Sequence, residues 1–165
     1  MQVLPKGITG FYPLNSEIPS EVSESNFKSF CYQFTRYISA KIDSVTERSN
    51  HHNLIHLSST RNYYAQLINY KTQSYWILCN KYYPLIGIST FYDLNPEPQF
   101  VDITLFDVPS EIPSHVKGEF VMLTSAQLKQ KLSLEMLSEL EPVELEEIKY
   151  WEPSQIAHII FNTWD

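Results

Sequence analysis

The stretch Tyr63-Tyr64-Ala65-Gln66-Leu67-Ile68-Asn69-Tyr70-Lys71-Thr72-Gln73-Ser74-Tyr75-Trp76-Ile77-Leu78 decides the fold. Its apolar residues fall in two short runs, Tyr63 to Ile68 and Tyr75 to Leu78, rich in the aromatic and β-branched types that suit a pleated surface. The segment between them, Asn69 to Gln73, is short enough for a hairpin connection. A third run, Leu85, Ile86, Ile88 and Phe91, follows a break at Lys81-Tyr82-Tyr83-Pro84, because Pro84 has no N–H to give to a central ladder. The reading is an antiparallel meander. Asn53 to Ser58 is a candidate strand before it, and Phe100 to Phe106 alternates as one after it, across an Asn95-Pro96-Glu97-Pro98 loop.

Upstream, the period changes. Phe27, Phe30, Cys31, Phe34, Ile38, Ile42 and Val45 recur at steps of three and four, with Lys28, Gln33, Arg36, Lys41 and Asp43 in other directions. That pattern predicts a long amphipathic helix, capped at Ser23 or Ser25 and fading by Ser49-Asn50. Residues 1–20 carry Pro5, Pro13 and Pro19 around Phe11-Tyr12 and read as an ordered, irregular arm. Downstream, Glu119 to Leu123 is strand-like. Thr124 and Gln127 form a capping-box pattern before the apolar face Leu128, Leu132, Met136, Leu137 and Leu140, which Pro142 ends. Val143 to Ile148 reads as extended, and Pro153 opens a last helix carrying Ile156, Ile159, Ile160 and Trp164. The expected class is α+β: an antiparallel sheet packed with a long N-terminal helix and C-terminal helices, in a single domain over residues 1–165.

The chain has 165 residues, 12 Lys plus Arg against 19 Asp plus Glu, a net charge of −7, and is 43% hydrophobic. This is the composition of a folded soluble domain. It disfavours a nucleic-acid partner, since that affinity comes largely from Lys and Arg displacing counterions. The four glycines, Gly7, Gly10, Gly87 and Gly118, form neither a dinucleotide fingerprint nor a phosphate loop. The start, Met1 to Lys6, lacks a secretory apolar run, and no apolar stretch approaches the roughly 20 residues that span a bilayer. A cytoplasmic protein with no membrane partner is expected.

Signals for chemistry are sparse. His51, His52 and His56 cluster, but a metal would need a further ligand, so they read as exposed or capping histidines near a helix end. Cys31 and Cys79 sit inside apolar patterns and read as buried free thiols. Carboxylate pairs such as Asp93 with Asp102 or Asp107 lack a supporting context for a hydrolase, and loop acids are more often solvated. No catalytic residue, metal or cofactor is assigned.

Two features point outward instead. Eleven tyrosines, many of them in Tyr63-Tyr64, Tyr70, Tyr75, Tyr82-Tyr83 and Tyr92, exceed what one small core satisfies easily. They suit either a binding patch or the wet face of a sheet. Between Glu135 and Glu152 stand seven glutamates against Lys149 alone, either a solvated run or a surface that steers a basic partner.

The ending Trp151-Glu152-Pro153-Ser154-Gln155-Ile156 with Ile160-Phe161-Asn162-Thr163-Trp164-Asp165, and the opening Leu4-Pro5-Lys6-Gly7-Ile8-Thr9-Gly10-Phe11, resemble the terminal segments of small bacterial immunity proteins. Those proteins are encoded beside polymorphic or contact-dependent growth inhibition toxins. The resemblance implies a cytosolic protein without activity of its own, which binds a cognate toxin C-terminal domain, often a nuclease, and covers or distorts its active site. The contact residues expected from charge and aromatic content are Glu141, Glu144, Glu146 and Glu147, then Tyr82, Tyr83, Tyr92, Asp93 and Glu97. The alternatives are a small-ligand or general interaction module with an aromatic pocket and, behind it, a hydrolase.

Overall fold

Strands β2 (Tyr63–Tyr70) and β3 (Gln73–Asn80) form the predicted hairpin, in register from Tyr63 opposite Asn80 to Tyr70 opposite Gln73. The turn is Lys71-Thr72, and Lys71 takes the left-handed conformation at φ 54° that a two-residue connection favours. This computed structural model describes residues 3–43, 61–92 and 95–164, at backbone level for 91–92 and 95–98. The meander continues into β4 (Leu85–Tyr92) and β5 (Asn95–Val101), both antiparallel to their neighbours. The sheet runs β1-β2-β3-β4-β5, where β1 is the short strand Lys41–Ile42. A sixth strand, β6 (Val121–Met122), pairs with Leu85–Ile86 of β4 in parallel, so the sheet is mixed and not wholly antiparallel.

The class is α+β, with helices on both faces of the sheet. On one face lies α1 (Glu24–Tyr37), started by Ser23, whose hydroxyl accepts the Asn26 N–H at 3.3 Å. Phe27, Phe30, Cys31, Phe34 and Ile38 pack there on Ile68, Tyr75, Ile77, Cys79, Ile86 and Ile88. The other face carries the N-terminal arm and the C-terminal helices, with Leu4, Ile8, Leu128, Leu140, Ile156, Ile159, Ile160 and Phe161 against Tyr63, Leu78 and Phe100. Central strands covered on both sides read as nearly continuous apolar runs, which is why Ile77 to Cys79 and Ile86 to Ile88 do not alternate.

Several predicted elements differ. Helix α1 is 14 residues long and stops at Tyr37, because Ser39 turns left-handed at φ 57° and Ala40 N–H closes back on Thr35 O at 2.8 Å. Ile42, assigned to its apolar stripe by spacing, pairs with Ile68 as a strand instead. Val45, the candidate strand Asn53–Ser58 and His51, His52 and His56 lie outside the described residues. Asn95 to Pro98 is part of β5, where an edge position tolerates its prolines. Ile103–Phe106 is a 3₁₀ turn and not a strand.

The capping box at Thr124 is present and opens α3 (Ser125–Leu128), but the helix ends there. Pro142 starts a helix, α4 (Pro142–Trp151), occupying its first turn, where a missing N–H costs nothing. Val143 to Ile148 is therefore helical. The two remaining helices are short, α2 (Ser114–Lys117) and α5 (Ala157–Ile160). Gly87 admits the C-terminal layer: a Cβ there would stand 2.7 Å from Phe161 Cε2 and 3.1 Å from Leu128 Cδ1. Among the described residues no helix is long and apolar enough to cross a membrane.

Candidate partner-binding face

The expected contact residues separate into those that hold the fold and those that face outward. Glu144 belongs to the first group. Its side chain is fully buried on the inner side of α4, where Oε2 accepts the N–H of Gly7 at 2.9 Å and of Glu141 at 3.0 Å. Oε1 accepts the Thr9 hydroxyl at 2.7 Å and the Thr9 N–H at 3.2 Å. A buried carboxylate is tolerable when its lone pairs are satisfied in this way. Glu144 therefore cannot serve as a surface contact, and its assignment as one is corrected. Gly7 at φ 80° lets the arm curl around the carboxylate.

Three asparagines extend the clasp. Asn62 and Asn80 both donate to Ile8 O, at 2.8 and 2.9 Å, and reach across to Ile159 O and Ile160 O. Asn162 donates to Thr9 O at 2.9 Å, while its N–H is accepted by Asn62 Oδ1 at 2.8 Å. Each is almost wholly buried, and together they join the arm, the ends of β2 and β3, and the C-terminal segment.

The Tyr82-Tyr83 pair is half-buried and turned to the same task. Tyr83 donates its hydroxyl to Lys6 O, and the Tyr82 ring meets Tyr12 edge-on at a centroid distance of 5.4 Å. Burial holds both phenols above the ordinary tyrosine range. Glu141 pairs with Lys6, raising the ammonium above its usual value. Tyr92 and Glu97 lie on β4 and β5, described at backbone level, and Asp93 lies outside the described residues.

Glu146, exposed on α4, and Glu147, half-buried, remain, and two aromatic residues join them. Tyr150 and Trp151 follow Glu146 and Glu147 by four residues each, one helical turn on, so each acid neighbours a ring. Tyr150 is 77% exposed and Trp151 40% exposed, unusual for rings of this size. Trp151 Nε1–H donates to Glu147 Oε2 at 3.2 Å. Its indole lies parallel to that of Trp164, planes 4° apart and centroids 6.4 Å apart, and Trp164 is buried against the core. The Tyr150 ring stands at 87° to Trp151 with centroids 5.2 Å apart. Charge density alone does not single out this pair of rings. Spacing along a correctly assigned helix would have done so.

The acids considered for chemistry have structural partners. Asp102 accepts the Ser125 N–H at 2.7 Å and the Ser125 hydroxyl at 2.8 Å, steadying the start of α3. Asp107 accepts Tyr70 and Lys71, whose hydrogen bonds hold its carboxyl below the usual range. Cys31 and Cys79 are buried and free, and burial pushes the Cys79 thiol up to about 12. Among the described residues no group of three His, Cys, Asp or Glu could hold a metal. No protein-family model, curated protein or solved structure matches the chain.

Proposed function

We propose that this protein is an immunity protein, which neutralises a cognate bacterial toxin by stoichiometric binding of the toxin's C-terminal domain in the cytoplasm. One observation carries the reading: α4 carries exposed Glu146, Tyr150 and Trp151, with half-buried Glu147 hydrogen-bonded to Trp151, on a helix anchored by buried Glu144 and Ile148. Exposed rings on a rigid support provide contact area with little entropy left to lose, and flanking acids steer a basic partner. A toxin that acts on nucleic acid needs a basic surface where it meets phosphate, and this face complements it.

The direct test is co-expression with the C-terminal toxin domain encoded beside this chain. Expected are restored growth of the host and a one-to-one complex surviving gel filtration. Undiminished toxicity with both proteins present and folded would overturn the proposal.

A further inference from the structure

We infer that the Glu147–Trp151–Tyr150 corner of α4 is a guanidinium site, which receives an arginine side chain from the surface of a partner protein. The inference deepens the proposed function, since it names the chemistry of the contact at the same face.

The rings decide that the occupant is a cation. Both are open to solvent, at 77% for Tyr150 and 40% for Trp151, and aromatic faces attract positive charge through their quadrupole. Trp151 cannot swing away freely: its indole N–H is held by Glu147 Oε2 and its plane is aligned on buried Trp164. Phe11 in turn packs on Trp164 at 6.4 Å. The site is thus supported from the core outward, which lowers the ordering cost of binding.

The carboxylates decide which cation. The contact with Trp151 uses Glu147 Oε2, and a carboxylate has further lone pairs with which to accept another donor. Among the described residues, the ion pairs are Lys6–Glu141, Lys28–Glu24 and Lys71–Asp107, so Glu146 is unpaired by any of them. A planar guanidinium stacks on a ring and donates at its edge to a carboxylate at the same time, whereas an ammonium is a strongly hydrated point charge. A second copy of this chain is a poor occupant, because it would bring one glutamate-rich surface against another. Phosphate-bearing ligands are repelled for the same reason.

The test uses the full-length protein and three short peptides that differ in one residue type: arginine, lysine or citrulline. Indole N–H signals are followed by NMR, the Trp151 signal being assigned by its loss in Trp151→Phe. The arginine peptide should shift that signal saturably, the lysine peptide more weakly, and the neutral citrulline peptide hardly at all. Glu147→Gln should weaken arginine binding by about threefold to tenfold, and Glu139→Gln, elsewhere on the acidic segment, should leave it unchanged. Equal shifts with citrulline or lysine, or undiminished binding by Glu147→Gln, would overturn the site. If the peptides fail while the toxin complex still forms, the guanidinium assignment falls and immunity stands. If the arginine peptide binds as expected but no toxin is neutralised, the site stands and the immunity reading falls.

Discussion

Thr9 donates its hydroxyl to Glu144 Oε1 at 2.7 Å, joining residues 135 positions apart. Around this bond the arm's Gly7 and Thr9 amides converge on one carboxylate, so removing that carboxylate orphans several buried donors at once. Glu144→Ala should cost about 3 kcal/mol and lower Tm by roughly 6–12 °C for a chain of this size. Glu146→Gln, on the exposed side of the same helix, should stay within about 0.5 kcal/mol of the parent. Urea unfolding of both variants checks the contrast. Similar losses would show that the buried and exposed acids are not distinguished in this way.

Close packing at Gly87 makes a second prediction. A Cβ added there would stand 2.7 Å from the Phe161 ring, and Phe161 itself lies against Tyr63 and Phe100. A methyl group must therefore displace the Phe161 and Leu128 side chains. Gly87→Ala should destabilise by about 1–3 kcal/mol despite the lower chain entropy of alanine. Trimming the ring in Gly87→Ala/Phe161→Leu should recover part of that loss, a non-additivity that a double-mutant cycle reads directly.

Among the described residues the buried hydroxyl of Ser89 has no hydrogen-bond partner, on the face of β4 that it shares with Gly87. An unmade hydrogen bond is a standing cost, so Ser89→Ala should be neutral or stabilise by about 1 kcal/mol, measured as the urea midpoint. Destabilisation beyond about 1 kcal/mol would mean that the hydroxyl is satisfied after all.

How far the sequence foretold this structure depends on range. The meander was legible because Tyr63–Tyr70 and Gln73–Asn80 carry their pairing information locally, in composition and in a short turn. The capping box at Thr124 was legible for the same reason. The end of α1 was not: Ile42 satisfies a helical step and a strand position equally, and only the reversal at Ser39 decides between them. The candidate site suffered more. Glu144 looks like one more member of an acidic run, and nothing within ten residues announces that Gly7 and Thr9 will cover it. Misreading Val143 to Ile148 as extended also hid the helical spacing that sets Glu146 beside Tyr150 and Glu147 beside Trp151. The opening and closing segments of the chain, far apart in sequence, meet in space where Asn162 donates to Thr9 O.

Buried Tyr63 and the half-buried Tyr12, Tyr64, Tyr82 and Tyr83 should limit stability at alkaline pH. Burial is the leading cause holding Tyr12, Tyr63, Tyr64, Tyr82 and Tyr83 above the ordinary range, and for Tyr64 the hydrogen bond to Glu21 adds to it. A neutral acid whose folded pKa is raised favours the native state fully below the unfolded value, near 10 for tyrosine, and that contribution is lost as pH rises toward the folded pKa. Stability should therefore be flat with respect to these groups at neutral pH and fall above about pH 10. Phenolate absorbance followed with circular dichroism, as the difference from Tyr63→Phe, should show buried Tyr63 ionising together with loss of the sheet, not before it. The thiols provide a second clock, because Cys31 and Cys79 are buried and their ionisation is likewise suppressed by burial. A thiol reagent should label neither cysteine in the native protein and both once the same alkaline transition is crossed. Labelling of either cysteine, or ionisation of Tyr63, in a protein whose circular dichroism is unchanged would contradict their burial in the core.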